Sequence, residues 1–271
     1  YTTAMGKNKP KLLSLIIPVY KQEKSIQKQL QSILGELTLL SIPYEVIVVI
    51  DGKVDNSERE ANKVHSNKLM VTGYNTNHGK GYAVRFGMAK SRGDIIGFID
   101  SGGDVSELGL SMMLEHFYWY NADIIVGSKR HPVSKVRYPL ERKILSFGYQ
   151  QLTRVLFGLN LKDTQVGIKL YRRNVLEDVL PRLLVKQFAF DIEILAVANH
   201  LGYTRIFEAP IELDFTGVSS ITSYSVWKVV YRMLWDTCAV FYRLKILHYY
   251  DNINKHNWMF DPELNFKIAL P

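Results

Sequence analysis

A chain of 271 residues, 47% of them apolar, can bury a sizeable core in one large α/β domain or two small ones, which excludes wholesale disorder. Its formal net charge of +8 suits an anionic partner, whether nucleotide, phospholipid, lipid phosphate or nucleic acid, without choosing among them. The single cysteine, Cys238, excludes an internal disulfide and a cysteine-built zinc site, and the seven histidines form no His-x-His or His-x-x-x-His pair. One cysteine fits a reducing, cytosolic setting. Residues 1–10 lack the apolar run of a secretory signal and read as a flexible leader.

Leu12 to Ile17 is an apolar run stopped by Pro18, the pattern of a buried strand. From Gln22 to Leu40, Ile26, Leu30, Ile33, Leu34 and Leu37 recur at helical spacing. Tyr44 to Ile50 is a β-branched second strand ending on Asp51-Gly52, and Asp55 or Ser57 can cap a polar helix reaching to about Ser66. Leu69 to Gly73 is a third strand, Asn77-His78-Gly79-Lys80-Gly81 a turn, and Tyr82 to Ser91 a helix. Asp94 to Asp100 is a fourth strand, closed by Ser101-Gly102-Gly103-Asp104. A helix from Leu108 to Trp119 and a fifth strand from Ala122 to Gly127 follow.

Strands alternating with helices, apolar on both faces, predict a parallel sheet covered by helices. That arrangement brings Pro18-Val19-Tyr20, Asp51-Gly52, the 77–81 turn and Asp100 to Asp104 to one sheet edge, where such folds bind ligands. Beyond Gly127 the pattern changes. Residues 128–137 form a basic loop, Tyr138 to Phe157 resumes helical spacing, and Asp163 to Tyr171 reads as a turn and then a strand. Phe188 opens a helix ending near Gly202, and Tyr203 to Phe215 is one strand or a pair around Pro210. No Gly/Pro linker divides the chain, so a main domain over 11–223 is expected, with a helix and tail over 224–271; the tail from Asp251 shows no assignable pattern. No run of 18 apolar residues exists to span a bilayer. The last helix, Trp227 to Tyr250, mixes Lys228, Arg232 and Arg243 with Trp227, Tyr231, Leu234 and Trp235. That suits either a membrane interface or a helix packed on the sheet with one charged face.

The first strand is not followed by the glycine-rich turn of a dinucleotide site, and no P-loop occurs. A divalent metal held by carboxylates is the other way to neutralise a diphosphate. Asp100 and Asp104 are the candidate ligands, with Asp51 near enough to reach a base or ribose.

The strand ending Pro18-Val19-Tyr20, the strand ending Asp51, the Asn-x-Gly-Lys-Gly turn and Asp100-x-x-Gly-Asp104 together resemble the family 2 glycosyltransferases of GT-A fold. Gly127 to Pro132, Asp163-Thr164-Gln165-x-Gly167-x-Lys169 and Phe190-Asp191-x-Glu193 narrow the resemblance to the polyprenyl-phosphate sugar transferases, the dolichyl-phosphate mannose and glucose synthases. It covers roughly residues 12 to 220. It implies an inverting transfer of a hexose from a GDP- or UDP-linked sugar to a polyprenyl phosphate at the cytosolic membrane face. By position, Pro18, Tyr20 and Asp51 would line the nucleotide pocket, and Lys80 and Arg85 would lie near the nucleotide or its diphosphate. Asp100 and Asp104 would hold Mg²⁺ or Mn²⁺. Lys129, Arg130, Ser134 and Arg137 would meet the acceptor phosphate, and Asp163, Gln165 and Asp191 would border the reaction centre.

A phosphate acceptor is already largely ionised at neutral pH, its second pKa being about 6, so it needs aim more than a general base. A hydroxyl acceptor would demand one, and Asp191 is then the best placed. Two departures stand out: Gly102 occupies the second carboxylate position of the family's Asp-x-Asp, and Lys21-Gln22 replaces its Asn-Glu. Three rival readings follow: a saccharide or protein hydroxyl acceptor, a non-catalytic nucleotide-sugar or lipid-phosphate binder, and a nucleic-acid-binding domain. The last rests on charge alone, with no binding motif.

Overall fold

The computed structural model describes residues 12–101, 109–137, 140–214 and 223–270. Leu13–Val19 (β1), Tyr44–Asp51 (β2), Leu69–Tyr74 (β3) and Ile95–Ile99 (β4) pair in parallel, with β1 between β2 and β4. Every residue of β1, β2 and β4 is buried, as a sheet covered on both faces requires. The connecting helices are Ile26–Thr38 (α1), Ser57–Ala61 (α2) and Lys80–Lys90 (α3). The polar helix expected to reach Ser66 stops at Ala61. Asp55 accepts from the amides of Ser57 and Glu23, so it caps α2 and ties it to the segment leaving β1.

Gly109–Trp119 (α4) leads to Ile124–Ser128 (β5), then Lys135–Arg137 (β6), Leu140–Phe157 (α5) and Ile168–Arg172 (β7). Arg173–Val179 (α6), Phe190–His200 (α7), Ile206–Pro210 (β8), Glu212–Asp214 (β9) and Ser223–Lys245 (α8) follow. The main sheet has the order β3-β2-β1-β4-β7-β5-β8. Strand β7 runs antiparallel to both neighbours, so the sheet is mostly parallel, as expected. The chain between β5 and β7 stays at the edge where β5 ends, so β7 starts there and runs back. The basic loop is not wholly irregular, because β6 pairs with β9.

Strand periodicity sorts the core into two layers. Ile16, Val49, Phe98, Val126 and Tyr171 face the layer that carries α3, α6 and α7. Leu15, Val48, Ile99, Ile125 and Leu170 face α1 and α4. Val240 and Leu244 of α8, with Tyr250 and Leu264 beyond it, join the first layer, so the C-terminal segment shares the core of the sheet. Helix α8 ends five residues earlier than its apolar pattern suggests, and His248 then takes a left-handed φ of 50°. The unassigned tail forms a 3-10 turn, Asn252–Asn257, and a hairpin of Met259–Asp261 (β10) with Phe266–Ile268 (β11). Buried Arg182 binds the Tyr250 carbonyl at 2.7 Å, and the Ala269 amide binds the Pro181 carbonyl at 2.7 Å. Among the described residues, no helix is long and apolar enough to cross a membrane.

Candidate active site

The carboxyl ends of β1, β2, β3 and β4 lie on one edge, and so does the start of β7. Asp51, at the end of β2, is buried and accepts hydrogen bonds from the amides of His78 (2.8 Å) and Gly79 (3.0 Å), from Asn77 Nδ2 (2.8 Å) and from the Tyr74 hydroxyl (2.9 Å). A carboxylate has about four lone-pair positions, and these donors use them. Asp51 therefore fixes the 77–79 turn at the start of α3, where a negative charge also suits the helix dipole.

The turn presents Lys80, the first residue of α3, to two carboxylates. Its ammonium stands 3.0 Å from both oxygens of Asp100 and 3.3 Å from Asp191. On its other oxygen, Asp191 meets Lys169 at 2.5 Å. Lys169 has no exposed surface and also donates to the Val166 carbonyl at 2.7 Å. Strand alternation explains the meeting: on β7, Lys169 shares the face of Tyr171, toward α7, whose first turn carries Asp191. Burial alone would raise the Asp191 pKa, but Lys169 and then Lys80 hold it below the usual carboxylate range. Burial would likewise lower Lys80, and Asp100 with Asp191 more than reverse this, keeping it above the usual lysine range. Asp191 is a fixed anion here, poorly suited to taking a proton.

Asp100 closes β4 with its amide on the Gly167 carbonyl at 2.8 Å. A Cβ at Gly167 would fall 2.1 Å from Asp100 Oδ2, so only glycine leaves room for this carboxylate. The Asp100 side chain is 38% exposed, and an open carboxylate at a strand end is a donor that Mg²⁺ or Mn²⁺ accepts while keeping water and phosphate as further ligands. Among the described residues no cluster of three His, Cys, Asp or Glu side chains gathers, and Gly102 and Asp104 lie outside them.

Across β7 the edge changes character. Buried Asp163 accepts from the Gln165 amide at 3.2 Å, forming a tight turn, and lies 3.6 Å from the Lys129 ammonium. Lys129, Asp163, Gln165, Tyr149, Met233 and Leu234 line a cavity of about 490 Å³ between α5 and α8. The two helices are tied by the Tyr149 hydroxyl and Thr237 at 2.8 Å. The side-chain nitrogen of Gln165, Nε2, is buried and has no hydrogen-bond partner among the described residues. Arg130 reaches Gln150 of α5 and lies 5.6 Å over the Phe147 ring. Leu145 and Phe147 of α5 and Tyr231, Leu234 and Trp235 of α8 are exposed.

Asp100, Lys80 and Asp191 thus form one cluster, with Asp163, Gln165, Lys129 and Arg130 on the neighbouring side. Pro18 ends inside β1, and Tyr20 is exposed just beyond it. Two expected residues are elsewhere. Arg85 sits 140° around α3 from Lys80 by the ~100° helical step; it donates to the Leu183 carbonyl at 2.8 Å and faces Phe266 of the C-terminal hairpin. The Ser134 hydroxyl donates to the Ser128 carbonyl (2.6 Å) and accepts from the Ile211 amide (3.1 Å), so it braces the loop. Arg137 lies on β6. Lys169 had no role on sequence grounds, although a lysine among Ile168, Leu170 and Tyr171 in a strand is the signal of a buried, paired charge.

The sequence profile of glycosyl transferase family 2 matches residues 14–180, and the chain belongs to that family. Its sheet is that of the GT-A fold. It is similar to the dolichyl-phosphate beta-glucosyltransferase of Drosophila melanogaster, 32% identical over 205 residues, which cover 70% of this chain and 63% of that one. To the human dolichyl-phosphate beta-glucosyltransferase it is 31% identical over 236 residues, covering 80% of this chain and 71% of the human one. The chain thus spans somewhat under two thirds of the fruit-fly relative's length. Among solved structures, glucosyl-3-phosphoglycerate synthase from Mycobacterium tuberculosis, in complex with Mn²⁺, uridine diphosphate and phosphoglyceric acid, superposes with a TM-score of 0.66 at 17% identity, covering 85% of this chain and 78% of that one. At that identity the likeness is one of fold.

Proposed function

We propose that this protein is an inverting hexosyltransferase that moves glucose from a uridine diphosphate sugar to the phosphate of a polyprenol. The observation that carries the reading is the largely apolar cavity between α5 and α8, with Lys129, Asp163 and Gln165 in its wall. The cavity suits an isoprenoid chain, with Lys129 and Arg130 at its rim for the phosphate. A phosphate acceptor is ionised before it arrives, so the absence of a basic Asp191 is no obstacle. A hydroxyl acceptor would lack its base. The names of the relatives support dolichyl phosphate and glucose.

In this reading Lys80 contacts the departing diphosphate, placing positive charge where negative charge develops. Gln165, whose Nε2 has no partner among the described residues, donates to a sugar hydroxyl or to an acceptor oxygen. Asp100, with Asp104, would hold Mg²⁺ or Mn²⁺, which supplies further charge stabilisation when bound. The exposed aromatic and aliphatic side chains of α5 and α8 rest on the cytosolic face of a membrane, next to the basic loop.

The test is incubation of the protein with labelled UDP-glucose, Mn²⁺ and a short polyprenyl phosphate. An acid-labile glucolipid is the expected product. UDP binding without transfer would instead favour the non-catalytic binder, the reading that Gly102 makes worth testing.

A further inference from the structure

We infer that Glu193 and Tyr250 are positioning residues through which the C-terminal segment sets Lys80 in the site. The inference deepens the transferase reading and rests on it for its kinetic readout. Glu193 lies two residues beyond Asp191 on α7 and has no exposed surface. Its carboxylate accepts from the amides of Leu184 (3.1 Å) and Val185 (2.9 Å) and from the Tyr250 hydroxyl (2.7 Å). Tyr250 in turn accepts from Arg243 Nε of α8 at 3.0 Å, and Arg243 Nη2 is 3.7 Å from Glu193.

What Glu193 holds is the segment 183–187, and that segment seats the turn carrying Lys80. The Tyr82 amide donates to the Lys186 carbonyl at 3.2 Å. Gly79 has a φ of 101°, and a Cβ there would stand 2.5 Å from Gln187 Nε2 and 2.6 Å from the Lys186 carbonyl oxygen. Arg85 fastens the same segment through Leu183. The 77–81 turn is therefore gripped from one side by Asp51 and from the other by 183–187. The second grip is complete only when Tyr250 is in place. Arg243 and Tyr250 lie beyond the residues 14–180 that match the family profile.

A side chain aimed at a diphosphate loses effect steeply with small displacements. Tyr250→Phe keeps the ring and removes the hydroxyl. The expected result is a fall of about tenfold in kcat/KM for the nucleotide-sugar, with KM for the polyprenyl phosphate unchanged. Amide hydrogen exchange should quicken in peptides covering 77–83 while those of β1 and β2 keep their protection. A purely structural role would lower the melting temperature and leave donor kinetics and the local exchange as they are, and that result overturns the inference. If Tyr250→Phe does not fold, Arg243→Met removes the donor to Tyr250 and should give the same pattern at smaller amplitude; unchanged exchange at 77–83 in that variant also overturns it. The exchange measurement needs no turnover. A wild-type protein inert toward UDP-glucose and polyprenyl phosphate would sink the transferase reading and still leave this one to be judged on exchange.

Discussion

Lys169 and Asp191 form a buried ion pair with 2.5 Å between ammonium and carboxylate, and Lys80 holds the carboxylate from its open side. Taking one partner from such a pair strands a charge away from water, which costs about 3–5 kcal/mol. Asp191→Asn strands Lys169, which has no other carboxylate in contact among the described residues, so a loss of that size is expected in urea denaturation. Lys169→Met should cost less, since Asp191 keeps Lys80. Equal losses for the two variants would show that Lys80 contributes nothing to the carboxylate.

Asp191 and Lys80 set a pH dependence. The Asp191 pKa lies below its ordinary value of 3.8, so its stabilising contribution is complete above that value and is lost as pH falls through the lower, folded value. The Lys80 pKa lies above its ordinary 10.5, so its contribution is complete below 10.5 and is lost only as pH rises through the higher, folded value. Neither group titrates between pH 5 and 9. If the acceptor must arrive ionised, kcat/KM for the acceptor should show an acid limb set by its phosphate, near pH 6. A phosphonate acceptor with a higher second pKa should move the limb upward; a limb that stays in place would belong to the protein.

Gly148 lies on α5 in the wall of the cavity, and a Cβ there meets nothing within 4 Å. Gly148→Phe should fill the cavity and exclude long polyprenyl phosphates while leaving UDP affinity unchanged by calorimetry. Gly148→Ala should fold at least as well as the wild type, by up to about 1 kcal/mol, because glycine is a poor helix residue. Undiminished transfer to the long acceptor in the phenylalanine variant would place the lipid elsewhere.

Asp100 carries the proposed metal contact. Asp100→Asn should weaken Mn²⁺ binding measured by electron paramagnetic resonance with UDP present. Gly102→Asp restores the family's second carboxylate and should strengthen it. If neither substitution changes the bound fraction, the cation is held by other groups.

Tyr231 and Trp235 stand exposed on α8. Replacing both with serine should reduce co-sedimentation with anionic phospholipid vesicles, since aromatic side chains favour the interface. Unchanged sedimentation would leave these side chains as ordinary surface.

The edge proposed to bind ligand was readable in the chain because the apolar runs of the first hundred residues stop at distinctive residues: Pro18, Asp51 and Asp100, with the Asn77 turn following the third run. Parallel pairing then aligns those ends without further information. Arg85 could not be placed that way, because helical spacing gives an angle around α3 but not what covers that face. The covering element is the C-terminal hairpin, and short strands such as Met259–Asp261 leave little periodicity to read. Lys169 was visible as an odd lysine, yet its meaning depends on α7, 22 residues on in sequence, docking over its face of the sheet. Tyr250 was hidden for the same reason, 57 residues from Glu193. Contacts of that kind are properties of the packed core, and only the folded chain displays them.

The reversed strand β7 divides the molecule along a seam. To one side, β3, β2, β1 and β4 carry the turns proposed to face the donor; to the other lie β5 and β8, with the loop, helices and cavity proposed for the acceptor. Gly167 and Lys169 on the seam touch Asp100 and Asp191 directly. Lengthening or rebuilding the acceptor side would therefore leave the donor turns in register, provided β7 stays as it is. One architecture could thus serve acceptors of very different size while keeping a single way of holding the sugar nucleotide.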